Sequence, residues 1–431
     1  CALPILQPVS NGPSEKIGIL AGDRIIAVND SAIAGVKMST EEIMKRLRGP
    51  KGSKVNLKIV RRGVQDPLVF TVKRDKIPIL SLDASYMIQP KTGYIRINRF
   101  GATTAEEFKK AMKELQKQGM KDMILDLQGN GGGYLNAAID LANEFLGQKE
   151  LIVYTEGRTA KRSDFYAKGN GEFRNGRLIV LVDEYTASAS EIVSGAVQDW
   201  DRGIIVGRRS FGKGLVQRPI DLPDGSMIRL TIARYYTPAG RCIQKPYDSS
   251  TDYNKDLIER FNHGELMNAD SIHFPDSLKV QTKKLGRTVY GGGGIMPDYF
   301  VPIDTTLYTD YHRNLVAKGA VIKFTMKFIE GHRKELANKY KKFESFNEKF
   351  IIDDDMLATL REMGEKEGVK FNEEQYQKSL PLIKTQLKAL IARDLWDMNE
   401  YFRVMNTTNE SVQKALEILN SEEYQKKLRA N

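Results

Sequence analysis

The pattern of apolar and polar positions divides the chain into three regions. Residues 1–79 contain short alternating stretches that predict a small β-rich domain. In residues 80–304, apolar runs alternate with amphipathic stretches, which predicts an α/β core with a partly parallel sheet. Residues 305–431 are rich in Lys, Glu, Leu and Ala at helical spacing and predict a helical C-terminal region. The polar stretch 247–286 is predicted to be an insertion into the core.

Local signals place the elements of the first region. Pro13 suits the first position of a short helix. Ser39 and Glu42 form a capping-box pattern, which predicts a helix with Ile43 and Leu47 on one face. Alternating residues predict strands at 24–29, 55–60 and 68–72.

The second region has short apolar runs that end at candidate loops. One run leads into residues 128–133, Gln-Gly-Asn-Gly-Gly-Gly, which we term the Gly-rich loop. Glycine allows positive φ and close backbone approach, so N–H groups of this loop could bind an oxyanion or a substrate strand. The predicted strands are 94–97, 123–126, 178–182, 204–206 and 226–236, and the predicted helices are 104–116 and 135–145.

Composition excludes several classes of protein. The 431 residues are 41% hydrophobic and 28% charged, which is ordinary for a globular protein. No apolar run approaches the roughly 18–20 residues of a membrane helix. No signal peptide is in view, but Cys1 is not an initiator Met, so an upstream leader or anchor stays open.

Charge and cysteine content limit the classes of partner and of bound group that we expect. The net charge is +11, but Lys and Arg are interleaved with Asp and Glu and accompany no nucleic-acid-binding motif. We therefore expect no nucleic-acid partner, whereas attraction to an anionic membrane surface or cell-wall polymer stays open. Cys1 and Cys242 form neither a disulfide framework nor a metal site.

Ser188 and Lys213 are the candidate reactive pair. Ser188 follows an apolar strand and begins a predicted helix, where a nucleophile gains from free backbone N–H groups such as that of Ala189. The four histidines all lie downstream, so a histidine base is not evident. A lysine can take the serine proton where burial lowers its pKa, which predicts a buried Lys213. Ser190 is a competing serine, and a plain helix cap is the alternative for Ser188.

A nucleotide-binding loop is a second interpretation of the region around Lys213. Residues 207–213 fit the spacing G-x-x-x-x-G-K. Gly214 stands where that motif needs Ser or Thr, and Pro219 with its neighbours predicts a strand instead of a helix. These departures disfavour nucleotide binding.

Two resemblances emerge from these motifs. Residues 18–29, Gly-Ile-Leu-Ala-Gly-Asp-Arg-Ile-Ile-Ala-Val-Asn, resemble a PDZ domain, whose first strand and carboxylate-binding loop we expect to precede Cys1. Residues 186–192 (Thr-Ala-Ser-Ala-Ser-Glu-Ile), 211–217 (Phe-Gly-Lys-Gly-Leu-Val-Gln) and 126–133 resemble signatures of the carboxyl-terminal processing, or tail-specific, proteases. In the last of these, Gln128 replaces the usual Arg.

The family resemblance implies a fold and a set of roles. The fold is an α/β, crotonase/ClpP-like protease core with an N-terminal, incomplete PDZ domain and a helical C-terminal region. Ser188 is the nucleophile, Lys213 the general base and Gln217 the residue that orients the lysine. The backbone N–H groups of Ala189 and Gly132 form the oxyanion hole, and no metal or other cofactor takes part.

The resemblance also implies partners and a location. Protein or peptide substrates with free C-termini are recruited by the PDZ domain, for which Ile43 and Leu47 are the candidate binding residues. The family usually works in the bacterial envelope, which implies a periplasmic location and leaves an accessory lipoprotein or an oligomer open. The alternative function is a catalytically inactive PDZ scaffold that binds protein C-termini.

Overall fold

The computed structural model describes residues 3–5, 8–9, 12–246 and 255–429. Cys1 and the start of the predicted insertion, residues 247–254, lie outside these ranges. The chain forms two compact units, one of residues 1–79 and 305–408 and the other of residues 80–304 and 409–431. We term the first the PDZ–helical unit, after the predicted PDZ domain. We term the second the catalytic unit, because it contains the candidate reactive pair Ser188 and Lys213. The predicted three-part domain division stays a prediction.

An antiparallel sheet forms the first part of the PDZ–helical unit. Its strands are β1 (Leu3–Pro4), β2 (Arg24–Val28), β3 (Ser31–Ala32), β4 (Lys54–Val60) and β5 (Leu68–Lys73), and its helices are α1 (Pro13–Lys16) and α2 (Thr40–Leu47). The sheet order is β1-β2-β4-β5, with β3 paired to β2. Pro13 begins α1, and Ser39 and Glu42 form the predicted capping box of α2.

Helices make up the rest of this unit. They are α7 (Asp310–Ala317), α8 (Ala320–Lys339), α9 (Phe343–Lys349), α10 (Asp354–Lys366), α11 (Glu373–Leu395) and α12 (Met398–Met405). Their apolar faces enclose a core that includes Phe324, Phe346 and Leu387. Among the residues that the structure describes, no helix is both long enough and apolar enough to cross a membrane.

The catalytic unit is built on a mixed sheet of order β17-β12-β11-β8-β7-β6. Its strands are β6 (Leu82–Gln89), β7 (Thr92–Ile97), β8 (Asp122–Asp126), β11 (Leu178–Val182), β12 (Ile204–Gly207) and β17 (Tyr299–Phe300). The run from β7 to β17 is parallel, and β6 pairs antiparallel with β7. β8 and β11 are buried along their whole lengths, as expected for apolar central strands.

A second sheet, of order β10-β9-β14-β13, lies in the same unit. Its strands are β9 (Leu151–Glu156), β10 (Ser163–Tyr166), β13 (Leu215–Asp221) and β14 (Met227–Tyr236). The sequence pattern did not predict β6, β9 or β10, because their residues do not alternate cleanly between apolar and polar. The remaining elements are α3 (Thr104–Lys117), α4 (Leu135–Ala142), α5 (Ala189–Asp199), α6 (Asp256–Asn262), β15 (Lys279–Gln281), β16 (Thr288–Tyr290) and short 3₁₀ turns at Ala269–Ser271 and Asp276–Leu278.

The last helices of the chain belong to the catalytic unit. They are α13 (Glu410–Asn420) and α14 (Glu423–Lys427). Val412, Ala415 and Ile418 of α13 are fully buried. Arg177 donates to the Leu419 carbonyl at 2.7 Å, and the backbone N–H of Leu178 donates to the Tyr424 hydroxyl at 2.9 Å.

Candidate active site

Ser188 lies on a strained turn between β11 and α5. Its φ of +58° is rare for a residue with a side chain, and such strain concentrates at functional sites. The turn is held by Asp183, whose Oδ1 accepts hydrogen bonds from Tyr185 N and Thr186 N at 3.0 Å and from Gly129 N at 2.9 Å. Burial raises the pKa of Asp183, and the hydrogen bond from Gly129 opposes that rise. The turn therefore presents Ser188 at the N-terminus of a buried helix.

The competing serine, Ser190, has a structural partner. Ser190 is fully buried and its hydroxyl donates to the Asn130 carbonyl at 3.0 Å. Ser188 is partly exposed. Because a nucleophile must reach substrate, the structure favours Ser188 over Ser190.

Glu191, three residues after Ser188, connects the two candidate catalytic residues. Its Oε2 accepts from the backbone N–H of Ser188 at 2.7 Å and from that of Lys213 at 2.9 Å. Its Oε1 accepts from Gly212 N at 2.7 Å and from the Ser210 hydroxyl at 2.5 Å. Burial raises the pKa of this carboxyl, and these four hydrogen bonds oppose the rise. One carboxylate thus fixes the backbones of residues that are 25 positions apart.

Lys213 is half-buried, so the prediction of a buried lysine is wrong in degree. Its loop runs along the wall of an open cavity, which leaves part of the side chain accessible. The hydroxyl of the buried Tyr235 donates to the Lys213 carbonyl and holds the backbone. Within the described part of the chain, Lys213 has no carboxylate at ion-pair distance, and no hydrogen bond joins its Nζ to Ser188 Oγ.

The Gly-rich loop lies against the nucleophile. A β-carbon on Gly132 would lie 2.7 Å from Ser188 Cβ and 2.9 Å from Ala189 N, so only glycine fits there. Ala189 is the first residue of α5, and its N–H has no acceptor within the helix. The Gly132 N–H donates to Asn130 Oδ1 at 2.9 Å, so an oxyanion would compete with that amide for it. The predicted oxyanion donors therefore adjoin Ser188, with Ala189 the more available one.

Gln217 lies on β13, four residues after Lys213, and is exposed. Both side chains line a cavity of about 1210 Å³. Apolar residues of this cavity wall include Leu215, Leu230 and Ile232. The cavity combines apolar with polar groups, as substrate sites commonly do.

The predicted peptide-binding residues of the N-terminal domain have another role here. Ile43 is buried in the domain core with Ile25 and Val55, and Leu47 packs against the same cluster. Their side chains stabilise the domain in this structure. Their part in peptide binding stays a prediction.

Sequence reasoning missed several residues that hold the site. Asn130 accepts from Ala187 N at 3.0 Å through its carbonyl and donates to the Ile97 carbonyl at 2.9 Å through its side chain. Arg96, on β7, donates to Asp126 Oδ2 at 2.5 Å and to the Gln128 carbonyl at 2.8 Å. Only Glu191 had a detectable signal, because it stands three residues after Ser188 in a capping-box pattern.

Among the described residues, no group of three or more His, Cys, Asp or Glu side chains is placed to hold a metal ion. The groups that the structure assembles at this site are a serine hydroxyl, backbone N–H groups and a lysine whose backbone is bound to the same carboxylate as that of Ser188. Such groups together support acyl transfer through a covalent intermediate.

Curated proteins that are similar to this chain are named carboxyl-terminal processing proteases. The 40%-identical match in the carboxyl-terminal-processing protease of Synechocystis covers 248 residues, 56% of this chain and 57% of that protein. The carboxy-terminal-processing protease of Bartonella bacilliformis is 38% identical over 56% of each chain. The carboxy-terminal processing protease CtpB of Bacillus subtilis is 35% identical over 56% of this chain and 50% of that protein. The chain thus spans little more than half the length of these curated relatives.

Family models match three segments. Residues 311–397 match a family of unknown function, DUF8443. Residues 5–61 match the PDZ domain, and residues 91–251 match peptidase family S41. The predicted resemblance and fold class are confirmed, since a PDZ domain, a mixed α/β core and a helical C-terminal region are all present. The α/β core of this chain is therefore similar to peptidase family S41, and the segment that precedes it is similar to a PDZ domain.

Proposed function

We propose that the chain is a serine endopeptidase that cleaves protein substrates near their C-termini with a Ser188–Lys213 dyad. The observation that carries the proposal is the shared carboxylate of Glu191, which accepts from the backbone N–H of both residues. The family match supports a peptidase, and the names of the matched relatives support C-terminal processing.

The proposed reaction has two halves. Ser188 Oγ attacks the scissile carbonyl while its proton passes to a neutral Lys213 Nζ, and the resulting oxyanion is bound by the Ala189 N–H. The C–N bond then breaks, the leaving amine takes the proton from Lys213, and an ester to Ser188 remains. Water attacks this ester with Lys213 again accepting the proton, and the free acid and Ser188 are restored.

The PDZ domain is proposed to recruit the substrate. An extended peptide can add to the edge of a PDZ sheet, where main-chain hydrogen bonds supply affinity. Support comes from the PDZ match over residues 5–61. A location in the cell envelope, an accessory lipoprotein and an oligomer are further proposals, which rest on the family resemblance alone.

The alternative is a catalytically inactive PDZ scaffold. Against it stand the partial exposure of Ser188, its strained backbone and the glycine packed against it. A scaffold has no need for these features, whereas a nucleophile needs access and nearby oxyanion donors.

The test is digestion of reduced, alkylated serum albumin and of a peptide with a free apolar C-terminus, with products identified by mass spectrometry. Wild type and Ser190→Ala should cleave both, although Ser190→Ala loses a buried hydrogen bond and should melt earlier. Ser188→Ala should cleave neither. The amidated peptide should be cut more slowly than the free acid. Active Ser188→Ala would remove the nucleophile assignment, and peptide binding without cleavage by wild type would support the scaffold.

A further inference from the structure

The C-terminal segment 409–429 carries a contact to the Gly-rich loop that none of the three family matches includes. The matches end at residues 61, 251 and 397. The chain returns to the catalytic unit at Asn409, and this residue caps α13. Its Nδ2 donates to Gln128 Oε1 at 3.1 Å. Gln128 is the first residue of the Gly-rich loop.

The donor and acceptor pattern of this contact is complementary. Asn409 Oδ1 is occupied by the helix cap, since it accepts from Ser411 N at 3.1 Å and Val412 N at 3.3 Å. Only the Nδ2 donor therefore faces Gln128, and glutamine offers it an acceptor oxygen. An arginine at position 128, as in the resembled proteases, has only donors and would leave this amide unpaired. The unusual glutamine thus fits the presence of Asn409.

From Gln128 the contacts lead to the nucleophile. Gln128 N donates to Asp126 Oδ1 at 2.8 Å, and its carbonyl accepts from Arg96 at 2.8 Å. The next N–H, that of Gly129, donates to Asp183 of the Ser188 turn at 2.9 Å. Asn130 then accepts hydrogen bonds from Gly132 N through its Oδ1 and from Ala187 N through its backbone carbonyl.

We propose that Asn409 is a positioning residue of the protease, which holds the Gly-rich loop in register with Ser188 through Gln128. Helix α13 supplies the rigid support, because its buried face is packed against the catalytic sheet. The C-terminal segment is then a working part of the S41-like core, although about a hundred residues of other structure separate it from that core in sequence. This inference rests on the proposed protease function.

The chain offers a matched control for this contact. At the other end of α13, Asn420 and Gln89 of β6 exchange hydrogen bonds of 3.0 and 3.1 Å. The pair has the same two side-chain types on the same helix, but β6 does not lead into the Gly-rich loop. If loosening α13 in general lowers activity, then breaking either pair should lower it. If Asn409 positions the Gly-rich loop, then only breaking the Asn409–Gln128 pair should lower it.

Two substitutions at Asn409 separate the cap from the link to Gln128. Ser caps a helix as well as Asn but is too short to reach Gln128. Asp also caps, and its carboxylate can accept from a rotated Gln128 amide, so it keeps the link. Asn409→Ser should lower kcat about three- to tenfold, the worth of one hydrogen bond, at unchanged KM and with a melting temperature no lower than that of Asn420→Ser, which loses two hydrogen bonds. Asn409→Asp and Asn420→Ser should retain the wild-type kcat.

Hydrogen–deuterium exchange supplies a readout that does not depend on cleavage. Asn409→Ser should raise exchange in peptides covering residues 127–134, and Asn420→Ser should not. The inference would be overturned if Asn409→Ser kept the wild-type kcat and the wild-type exchange. It would also be overturned if Asn409→Ser and Asn420→Ser lost kcat to the same extent. If wild type shows no Ser188-dependent cleavage, the proposed function fails while the exchange comparison still decides whether Asn409 orders the loop.

Discussion

The turn that carries Ser188 and the strand that carries Gln217 serve one proposed site but are fixed to different degrees. The turn is mostly buried, with Ser188 partly exposed, and is held by the carboxylates of Asp183 and Glu191. Gln217 lies exposed on the edge strand β13, on a cavity wall with accessible apolar residues such as Leu230. The difference indicates that the backbone around Ser188 is fixed, whereas the wall carries exposed side chains that are held less tightly.

Lys213 lies where these two parts meet. Its backbone is bound to Glu191, which belongs to the fixed part, while its side chain lines the open cavity. This arrangement ties the Lys213 backbone to the Ser188 turn through Glu191 and leaves part of the lysine side chain accessible. We therefore expect substitutions in the fixed part to abolish turnover and substitutions on the wall to alter it in degree.

The largest effect is predicted for Lys213. Both Lys213→Ala and Lys213→Arg should lower kcat about 10³-fold or more, because alanine has no base and guanidinium stays charged. The matched control is Lys245→Arg, since Lys245 is buried in an ion pair with Asp256 at 2.9 Å that arginine can keep. Steady-state kinetics on the free-acid peptide measure both. An inactive Lys245→Arg beside an active Lys213→Arg would assign the base to Lys245.

Glu191→Gln is predicted to have the next largest effect. The glutamine amide would place its own N–H groups against two of the four donors that now bind the carboxylate. We expect kcat to fall about 10²-fold and the free energy of unfolding to fall by about 1–3 kcal/mol, the cost of unsatisfied buried donors.

The control for Glu191→Gln is Glu184→Gln. Glu184 is also buried near the turn, but it pairs with Arg208 at 2.7 Å and touches neither catalytic residue. This control should lose stability with little loss of kcat. If both variants lost kcat in proportion to their stability, Glu191 would have no specific part in aligning Ser188 and Lys213.

Much of the fold and of the candidate site could be predicted from the sequence, and there are physical reasons why the remaining features could not. Ser188 and Lys213 stand in local motifs, and the strands around them are apolar and short, so both the pair and the α/β core were predictable. Arg96, Asn130 and Asn409 act through contacts between segments that are distant in the chain, and no local pattern marks such contacts. The burial of Lys213 was overestimated because the openness of the cavity depends on how β13 and β14 pack.

Gln217→Ala is predicted to have a moderate effect. Gln217 shares the cavity with Lys213, and the family resemblance implies that it orients the lysine. If it does so through one hydrogen bond in the substrate complex, its loss should lower kcat about three- to tenfold. Arg218, the next residue along β13, points to the opposite face of the strand and supplies the control. Arg218→Ala should leave kcat unchanged at constant ionic strength. A Gln217→Ala variant with wild-type kcat would limit Gln217 to lining the cavity.

The smallest effect, a change in the pH dependence of stability, is predicted for Asp183→Asn, which keeps the Oδ1 acceptor and removes only the charge. Because burial raises the pKa of Asp183 above its ordinary 3.8, the folded state holds this proton more tightly than the unfolded state. Its contribution to stability is therefore complete below pH 3.8 and is lost as pH rises through the folded-state pKa. The wild-type free energy of unfolding, relative to that of Asp183→Asn, should therefore decline over this window.

Urea unfolding at pH 4, 5 and 6 measures this decline, and Asp224 on the exposed β13–β14 turn provides the contrast. Hydrogen bonds from Ser226 lower the pKa of Asp224, so its contribution changes only below pH 3.8 and Asp224→Asn should match wild type across the window. A wild-type advantage over Asp183→Asn that grew with pH would mean that hydrogen bonds outweigh burial at Asp183. The turn would then favour the charged carboxylate of Asp183. The contribution of Asp183 to stability would in that case fall as pH falls, as that of Asp224 does.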